Sequence, residues 1–104
     1  MIDIETCKTI HRQMILSFRD RDLRSFWQHD DAAKIRPDLR ARIRRRLDAL
    51  NAASRPDDLN IPGFNFHPLR GKPQRYTIHV NGPWCITFAW DGDNATQVDL
   101  EQYH

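Results

Sequence analysis

The sequence predicts an α+β fold, in which an N-terminal helical hairpin packs on one face of a small, mainly antiparallel sheet. Its 104 residues, 39% hydrophobic and 29% charged, suffice for one globular domain. Up to residue 55 the apolar residues recur at helical spacing, whereas from Phe64 onwards they alternate with polar ones. Helical spacing followed by alternation is typical of an α+β protein, whose helices and sheet occupy separate parts of the chain.

A short strand and a helix open the predicted domain. The strand is indicated by three apolar residues, Ile15, Leu16 and Phe18. In the segment "DRDLRSFWQHDD" that follows, the apolar residues have helical spacing: Leu23, Phe26 and Trp27. Either Asp20 or Asp22 can cap the amino end of this helix.

A second helix is predicted after a break near Lys34. Pro37 suits its first turn, because a proline there gives up no helical hydrogen bond. The apolar stripe of this helix comprises Leu39, Ile43, Leu47 and Leu50, and arginines fill its other faces. Pro56 ends the helix, and we expect the two helices to form an antiparallel hairpin.

Four further strands are predicted by the segments "FNFHPL", "RYTIHV", "WCITFAW" and "ATQVDLEQY". A three-residue loop at 81–83 would pair Val80 with Trp84, Ile78 with Ile86 and Tyr76 with Phe88. A two-residue loop would instead put Ile78 opposite Cys85. We expect the three-residue loop, because it joins the large apolar residues on one face and keeps Pro83 out of the ladder.

The opposite face of these strands, here named the polar face, holds Arg75, Thr77 and His79 beside Cys85, Thr87 and Ala89. Because it is weakly apolar and basic, we expect it to be open rather than covered by helices. No acidic residue lies between Leu59 and Trp90, and six arginines lie within residues 36–46. Such local positive charge favours an anionic partner.

The first residues give no sign of a membrane or an oxidising compartment. No run approaches the roughly 20 apolar residues of a membrane span, and residues 1–13 lack the apolar stretch of a signal peptide. We expect Cys7 and Cys85 to be free thiols in a reducing cytoplasm. Residues 1–13 form an extension before a single domain of residues 14–104, and the sequence leaves a short helix and a flexible tail open for it.

Two short segments carry the side chains suited to chemistry on RNA. In "FHPLRG", Pro68 and Gly71 would hold His67 and Arg70 on a rigid bend. The chain stops on "EQYH", with Tyr103 followed by a histidine. Two imidazoles and a cation suit acid–base attack of a ribose 2′-hydroxyl on a phosphodiester, which needs no metal. Each segment taken alone also fits an ordinary solvated loop or a packed terminus.

Several stretches resemble the HigB (host inhibition of growth) toxins of the RelE/ParE superfamily: "MILSFRDRDL", "LDALNAASRPDDLNIPGFNFHPLRG" and "GPWCITFAWDGDNATQVDLEQYH". The resemblance spans residues 14–104. It implies a RelE-like fold and a ribosome-dependent endoribonuclease, without cofactor, that cuts mRNA in the A site. It also implies neutralisation by a HigA-type helix-turn-helix antitoxin, through which alone the toxin would contact operator DNA.

The resemblance also implies the site residues. The expected catalytic residues are His67, Arg70, Gln102, Tyr103 and His104, and Cys85 stands at an RNA-binding position. From the basic stretch in which they lie, we expect Lys72, Arg75 and His79 to bind RNA with Cys85. Three of these depart from the family's pattern: Arg70 replaces a lysine, Cys85 a strand arginine and Gln102 an aspartate. Loss of an electrostatic partner can cost roughly 10²–10³ in rate. We expect Arg75 or His79 to supply the positive charge missing at Cys85.

The sequence also fits two other functions. A homologue weakened by Cys85 and Gln102 would bind antitoxin or RNA without cutting, and a ParE-like relative would poison gyrase. Retention of His67, Tyr103 and His104 favours the nuclease.

Overall fold

The computed structural model describes residues 15–102, so the predicted extension 1–13 and the terminal pair Tyr103–His104 lie outside the described residues. Two α-helices precede the sheet: α1 spans Arg21–His29 and α2 spans Arg40–Ala52. The four strands are β1 (His67–Leu69), β2 (Arg75–Asn81), β3 (Trp84–Asp91) and β4 (Asn94–Gln102). Neighbouring strands are antiparallel in the order β1-β2-β3-β4, and the predicted α+β class is confirmed.

Helix α1 begins where its cap predicts. The Asp20 carboxylate accepts the backbone N–H of Leu23 at 2.9 Å, so Asp20 rather than Asp22 is the N-cap. The helix ends at His29, and the C-cap residue Asp30 has a left-handed φ of 56°. Arg44 of α2 then joins the two helices, because its guanidinium lies 4.5 Å from the centre of the Phe26 ring and forms an ion pair with Asp30.

Helix α2 follows a 3₁₀ turn, Pro37–Leu39, as the proline predicts. The predicted stripe is buried: Leu39, Ile43, Leu47 and Leu50. It packs against the apolar face of the sheet, which contributes Ile78, Val80, Ile86, Phe88 and Val98 to one core. Neither helix within residues 15–102 has the length and apolarity to cross a membrane.

The central hairpin keeps most of the predicted register. Ile78 pairs with Ile86 and Tyr76 with Phe88, as predicted. The predicted pair of Val80 and Trp84 is wrong, because the register shifts between His79 and Asn81 and Trp84 pairs with Asn81 instead. This β-bulge shortens the turn without moving the large apolar residues from the core.

Two predicted strands are shorter than expected. Strand β1 covers only His67–Leu69 of "FNFHPL", because Asn65 has a left-handed φ of 48°. The segment at Ile15–Arg19 runs parallel to β4 but forms only isolated bridges. It cannot continue as a regular strand, because Gln97 of β4 has a φ of 49° and donates its N–H to the Ser17 hydroxyl at 2.9 Å.

Candidate functional site

His67 stands at the first position of β1, opposite Thr77 of β2, so its side chain belongs to the polar face. The residue before it is anchored, because the Phe66 ring stacks on Tyr76 with centroids 5.8 Å apart. His67 itself is exposed, and its Nδ1 lies 3.0 Å from the Asn65 carbonyl oxygen. Since a carbonyl only accepts, Nδ1 carries the proton in the neutral ring and Nε2 is left as the proton acceptor.

The loop after β1 holds two exposed cations, Arg70 and Lys72. Gly71 has a φ of 117°, which a residue with a side chain rarely adopts. The Gln74 amide nitrogen closes the loop by donating to the carbonyl oxygens of Leu69 at 2.9 Å and Arg75 at 2.8 Å. The loop therefore holds both cations beside the end of β1, in water, where a phosphate can approach.

The centre of the polar face is less open than the sequence predicts. Thr77 and Thr87 are 2% and 0% exposed. The Arg75 guanidinium reaches across β3, where its Nη2 donates to the Thr87 hydroxyl at 2.9 Å and to the Gln97 carbonyl at 3.0 Å. The expectation was that helices do not cover this face, and its centre is buried by the sheet's own long side chains, which lie over the short ones.

Strand β4 adds two carboxylates to the polar face, which the sequence interpretation missed. Asp99 pairs with Thr87, and Glu101 pairs with Cys85. The Thr87 hydroxyl donates to the Glu101 carboxylate at 2.5 Å. The signal for this placement was the apolar Leu100, whose neighbours in a strand must point to the opposite face.

His79 and Cys85 form the next row of the polar face. They are paired across β2 and β3, as predicted. The His79 Nε2 lies 2.9 Å from the Gly82 carbonyl oxygen, which directs this ring nitrogen towards the hairpin turn. Burial raises the pKa of the Cys85 thiol, and the nearby Glu101 carboxylate raises it further. The thiol is therefore neutral at physiological pH and supplies no substitute for a strand arginine.

Gln102, the last described residue, is exposed and pairs with Trp84. This register gives Gln102 the strand face opposite to that of Glu101. The amino end of β1 and the carboxyl end of β4 lie at the same end of the sheet, but on its two edges. Three strand spacings, about 14 Å, separate those edges. Tyr103 and His104 lie outside the described residues, so their distance from His67 stays a prediction.

Four of the predicted side chains share the polar face: His67, Arg75, His79 and Cys85. Arg70 and Lys72 lie on the adjoining loop. In the described part of the chain, no three histidine, cysteine or acidic side chains are grouped in a way that could hold a metal ion. What the face and its adjoining loop offer is an imidazole whose Nδ1 lies against a carbonyl oxygen, three nearby cations and the two carboxylates of β4.

The chain is similar to a known family of toxins. Residues 16–104 match the family model described as the RelE-like toxin of the type II toxin–antitoxin system HigB. The chain is 30% identical over 92 residues to Endoribonuclease HigB of Proteus vulgaris, covering 88% of this chain and 100% of that protein. It is also 32% identical over 93 residues to Toxin HigB-1 of Vibrio cholerae serotype O1, covering 86% of this chain and 98% of the relative.

Proposed function

The chain belongs to the HigB family of RelE-like toxins in type II toxin–antitoxin systems, and we propose that it is an endoribonuclease that cuts mRNA on the ribosome. The observation that carries this proposal is the extent of the match, which runs through His104 and takes in the whole Proteus vulgaris endoribonuclease. Both segments with candidate catalytic residues, the His67 bend and the carboxyl end, lie inside it.

In the proposed reaction, a ribose 2′-oxygen attacks the adjacent phosphorus. The new P–O bond forms as the bond to the 5′-oxygen breaks, leaving a 2′,3′-cyclic phosphate and a 5′-hydroxyl. His67 takes the 2′-hydroxyl proton through Nε2, because Nδ1 is committed to the Asn65 carbonyl. His104 gives a proton to the leaving 5′-oxygen. This division of roles requires the last two residues to fold back over the polar face.

The remaining candidates bind and orient the RNA. Arg70 and Lys72, exposed on the closed loop, contact phosphates, and Arg75 supplies positive charge on the sheet. Tyr103 stacks on a base, and Gln102 orients its neighbours by hydrogen bonding. Of the two residues expected to replace the missing strand arginine, Arg75 is favoured, because His79 directs its Nε2 at Gly82.

A toxin of this family has an antitoxin partner. We propose that this antitoxin is of the HigA type, with a helix-turn-helix, and that the toxin meets operator DNA only through it. A protein that acts on translating ribosomes works in the cytoplasm. Residues 14–104 make up the single toxin domain in this proposal, with residues 1–13 as an extension.

The proposal is tested by expressing the chain in growing bacteria and mapping mRNA 5′ ends. Wild-type protein should arrest growth and produce discrete cuts at codons, and His67→Ala or His104→Ala should abolish both. His29→Ala is the matched control, because His29 is an exposed histidine at the end of α1, away from the polar face. Transcripts that stay intact while wild-type protein accumulates would exclude the nuclease.

The same experiment separates the rival functions. A non-cleaving homologue is favoured by Cys85, whose neutral thiol cannot hold a phosphate. It would bind the antitoxin and leave growth and transcripts unchanged. A gyrase poison would arrest growth with intact mRNA and induce DNA damage, which a reporter of the DNA-damage response would record.

A further inference from the structure

A chain of hydrogen bonds crosses the polar face and joins Arg75 to Glu101. Arg75 Nη2 donates to Thr87 Oγ1 at 2.9 Å, and Thr87 Oγ1 donates to Glu101 Oε2 at 2.5 Å. The directions are fixed, because a guanidinium only donates, a carboxylate only accepts, and a hydroxyl does both. One residue comes from each of β2, β3 and β4, so the three strands hold a cation and an anion on one buried hydroxyl.

We infer that Glu101, acting through the Thr87 hydroxyl, is a positioning residue that fixes the Arg75 guanidinium for a phosphate of the RNA bound on the polar face. This inference rests on the proposed function, and it names two residues, Thr87 and Glu101, that the sequence did not point to. The bonds hold the guanidinium over the sheet in one orientation, which is what makes a charged group effective in a transition state.

A bulge in β4 supplies a second acceptor for the Arg75 guanidinium. The register between β3 and β4 shifts between Thr87 and Ala89, where Gln97 has a φ of 49°. The shifted Gln97 carbonyl then accepts from the same Nη2 at 3.0 Å. Bulges are frequent beside active sites, where they redirect groups. Here the bulge provides an acceptor for a side chain that starts two strands away.

The position of Arg75 suits a phosphate of RNA bound near His67. Arg75 precedes Thr77 by two residues on the same face, and Thr77 is the partner of His67. The backbones of Arg75 and His67 are therefore diagonal neighbours, but the Arg75 guanidinium leads away from β1 to Thr87 of β3, which lies in the same cross-strand row as His67 and Thr77. A phosphate held by both groups would have to bridge about two strand spacings, roughly 10 Å. Glu101 lies on the far side of Thr87, in the row of Cys85. The carboxylate thus orients the cation without standing between it and His67.

The hydrogen-bond chain from Arg75 through Thr87 to Glu101, here named the relay, is tested by single-turnover cleavage on ribosomes that carry a defined mRNA. Arg75→Gln should slow cleavage about 10²-fold. Thr87→Val keeps the shape but loses the hydroxyl, and Glu101→Gln loses the charge; each should slow cleavage about 10-fold, because a displaced group loses rate steeply. The toxin concentration at half-maximal rate should change less than about 2-fold, since the guanidinium still attracts RNA.

Two variants control for damage to the sheet. Thr87→Ser restores a hydroxyl and should recover the wild-type rate. Asp99→Asn alters the neighbouring carboxylate on the same strand and face and should stay within about 2-fold of wild type. The relay is refuted if Thr87→Val and Glu101→Gln cut as fast as Asp99→Asn while Arg75→Gln is slow, or if Thr87→Ser is as slow as Thr87→Val.

If the wild-type chain does not cut RNA, the proposed function fails, but the inference about Arg75 can still be tested by measuring how the toxin binds to ribosomes. Toxin binding is then measured on ribosomes whose mRNA lacks the 2′-hydroxyl in the A site. A phosphate contact by Arg75 predicts that Arg75→Gln lowers the salt dependence of binding by about one ion. Thr87→Val should weaken binding and Thr87→Ser should not. A salt dependence equal to wild type in Arg75→Gln overturns the inference.

Discussion

The sheet has a guanidinium against each of its faces, and the two are held differently. On the core side, Arg46 of α2 is 4% exposed, and its Nε donates to the His79 carbonyl at 2.7 Å while the group lies 4.5 Å from the centre of the Phe64 ring. On the polar side, Arg75 is half-buried and reaches a carboxylate through a hydroxyl. Within residues 15–102, Arg46 forms no ion pair with a carboxylate.

This difference separates a structural cation from one suited to a ligand. Burial lowers the pKa of the Arg46 guanidinium, and the charges of Arg42 and Arg45 lower it further. The bonds of Arg46 to the His79 and Arg42 carbonyls offset that cost by tying α2 to the end of β2 and to its own helix. Arg75 is half-buried, and its charge is linked to the Glu101 carboxylate through the Thr87 hydroxyl.

The largest expected effect is on stability, at Arg46. Arg46→Ala removes the bond to the His79 carbonyl and the contact with the Phe64 ring, and it leaves a gap between helix and sheet. It should lower the free energy of unfolding by about 3 kcal/mol in urea denaturation. Arg46→Met keeps most of the packing and removes the buried charge, so it should cost less than the alanine.

Arg45→Ala is the control for Arg46, because Arg45 is exposed on the same helix. It should change the free energy of unfolding by no more than about 0.5 kcal/mol. If Arg46→Ala unfolds at the same urea concentration as Arg45→Ala, the buried guanidinium is not what joins α2 to β2.

The second effect is a smaller loss of stability at Arg75. Arg75→Gln gives up bonds to Thr87 and Gln97 at a half-buried site where water can replace part of the lost interaction. Urea denaturation should show a loss of about 1 kcal/mol. A loss as large as that of Arg46→Ala would mean that Arg75 is a structural residue, which would abolish the contrast between the two faces.

Much of this fold could be predicted because apolar spacing and caps act locally. Asp20 marks the start of α1, and the pairs of Ile78 with Ile86 and Tyr76 with Phe88 follow from keeping large side chains on one face. The bulge in β4 was not predicted: it accommodates Ala95 and Val98, which both belong to the core and whose spacing of three in a strand requires one extra residue. The bulge at the hairpin had no such signal, since polar Asn81 pairs with Trp84 at the exposed end.

The site could be predicted less well, because long side chains meet residues far away in sequence. Arg75 and Gln97 are bonded across two strands, and only the bulge makes that carbonyl available. Arg46 shows a related limit: it lies three residues after Ile43, on the buried stripe, yet the sequence interpretation grouped it with the solvated arginines. Charge composition could indicate an anionic partner but could not say which arginine was paired, which was buried and which was exposed.

The smallest expected effect concerns Asp99, the carboxylate of the polar face outside the relay. Burial raises the pKa of the Asp99 carboxyl, and the charges of Glu101 and Asp20 raise it further. The folded state therefore binds this proton more tightly than the unfolded state does, and the stability of the wild-type protein falls as pH rises through the window between the two pKa values. Asp99→Asn keeps an oxygen for the Leu100 N–H but cannot ionise. In urea denaturation from pH 4 to pH 7, the free energy of unfolding of Asp99→Asn should therefore rise relative to that of the wild type as pH rises. If the two free energies instead change in parallel with pH, the Asp99 carboxylate is as well solvated in the folded chain as in the unfolded one.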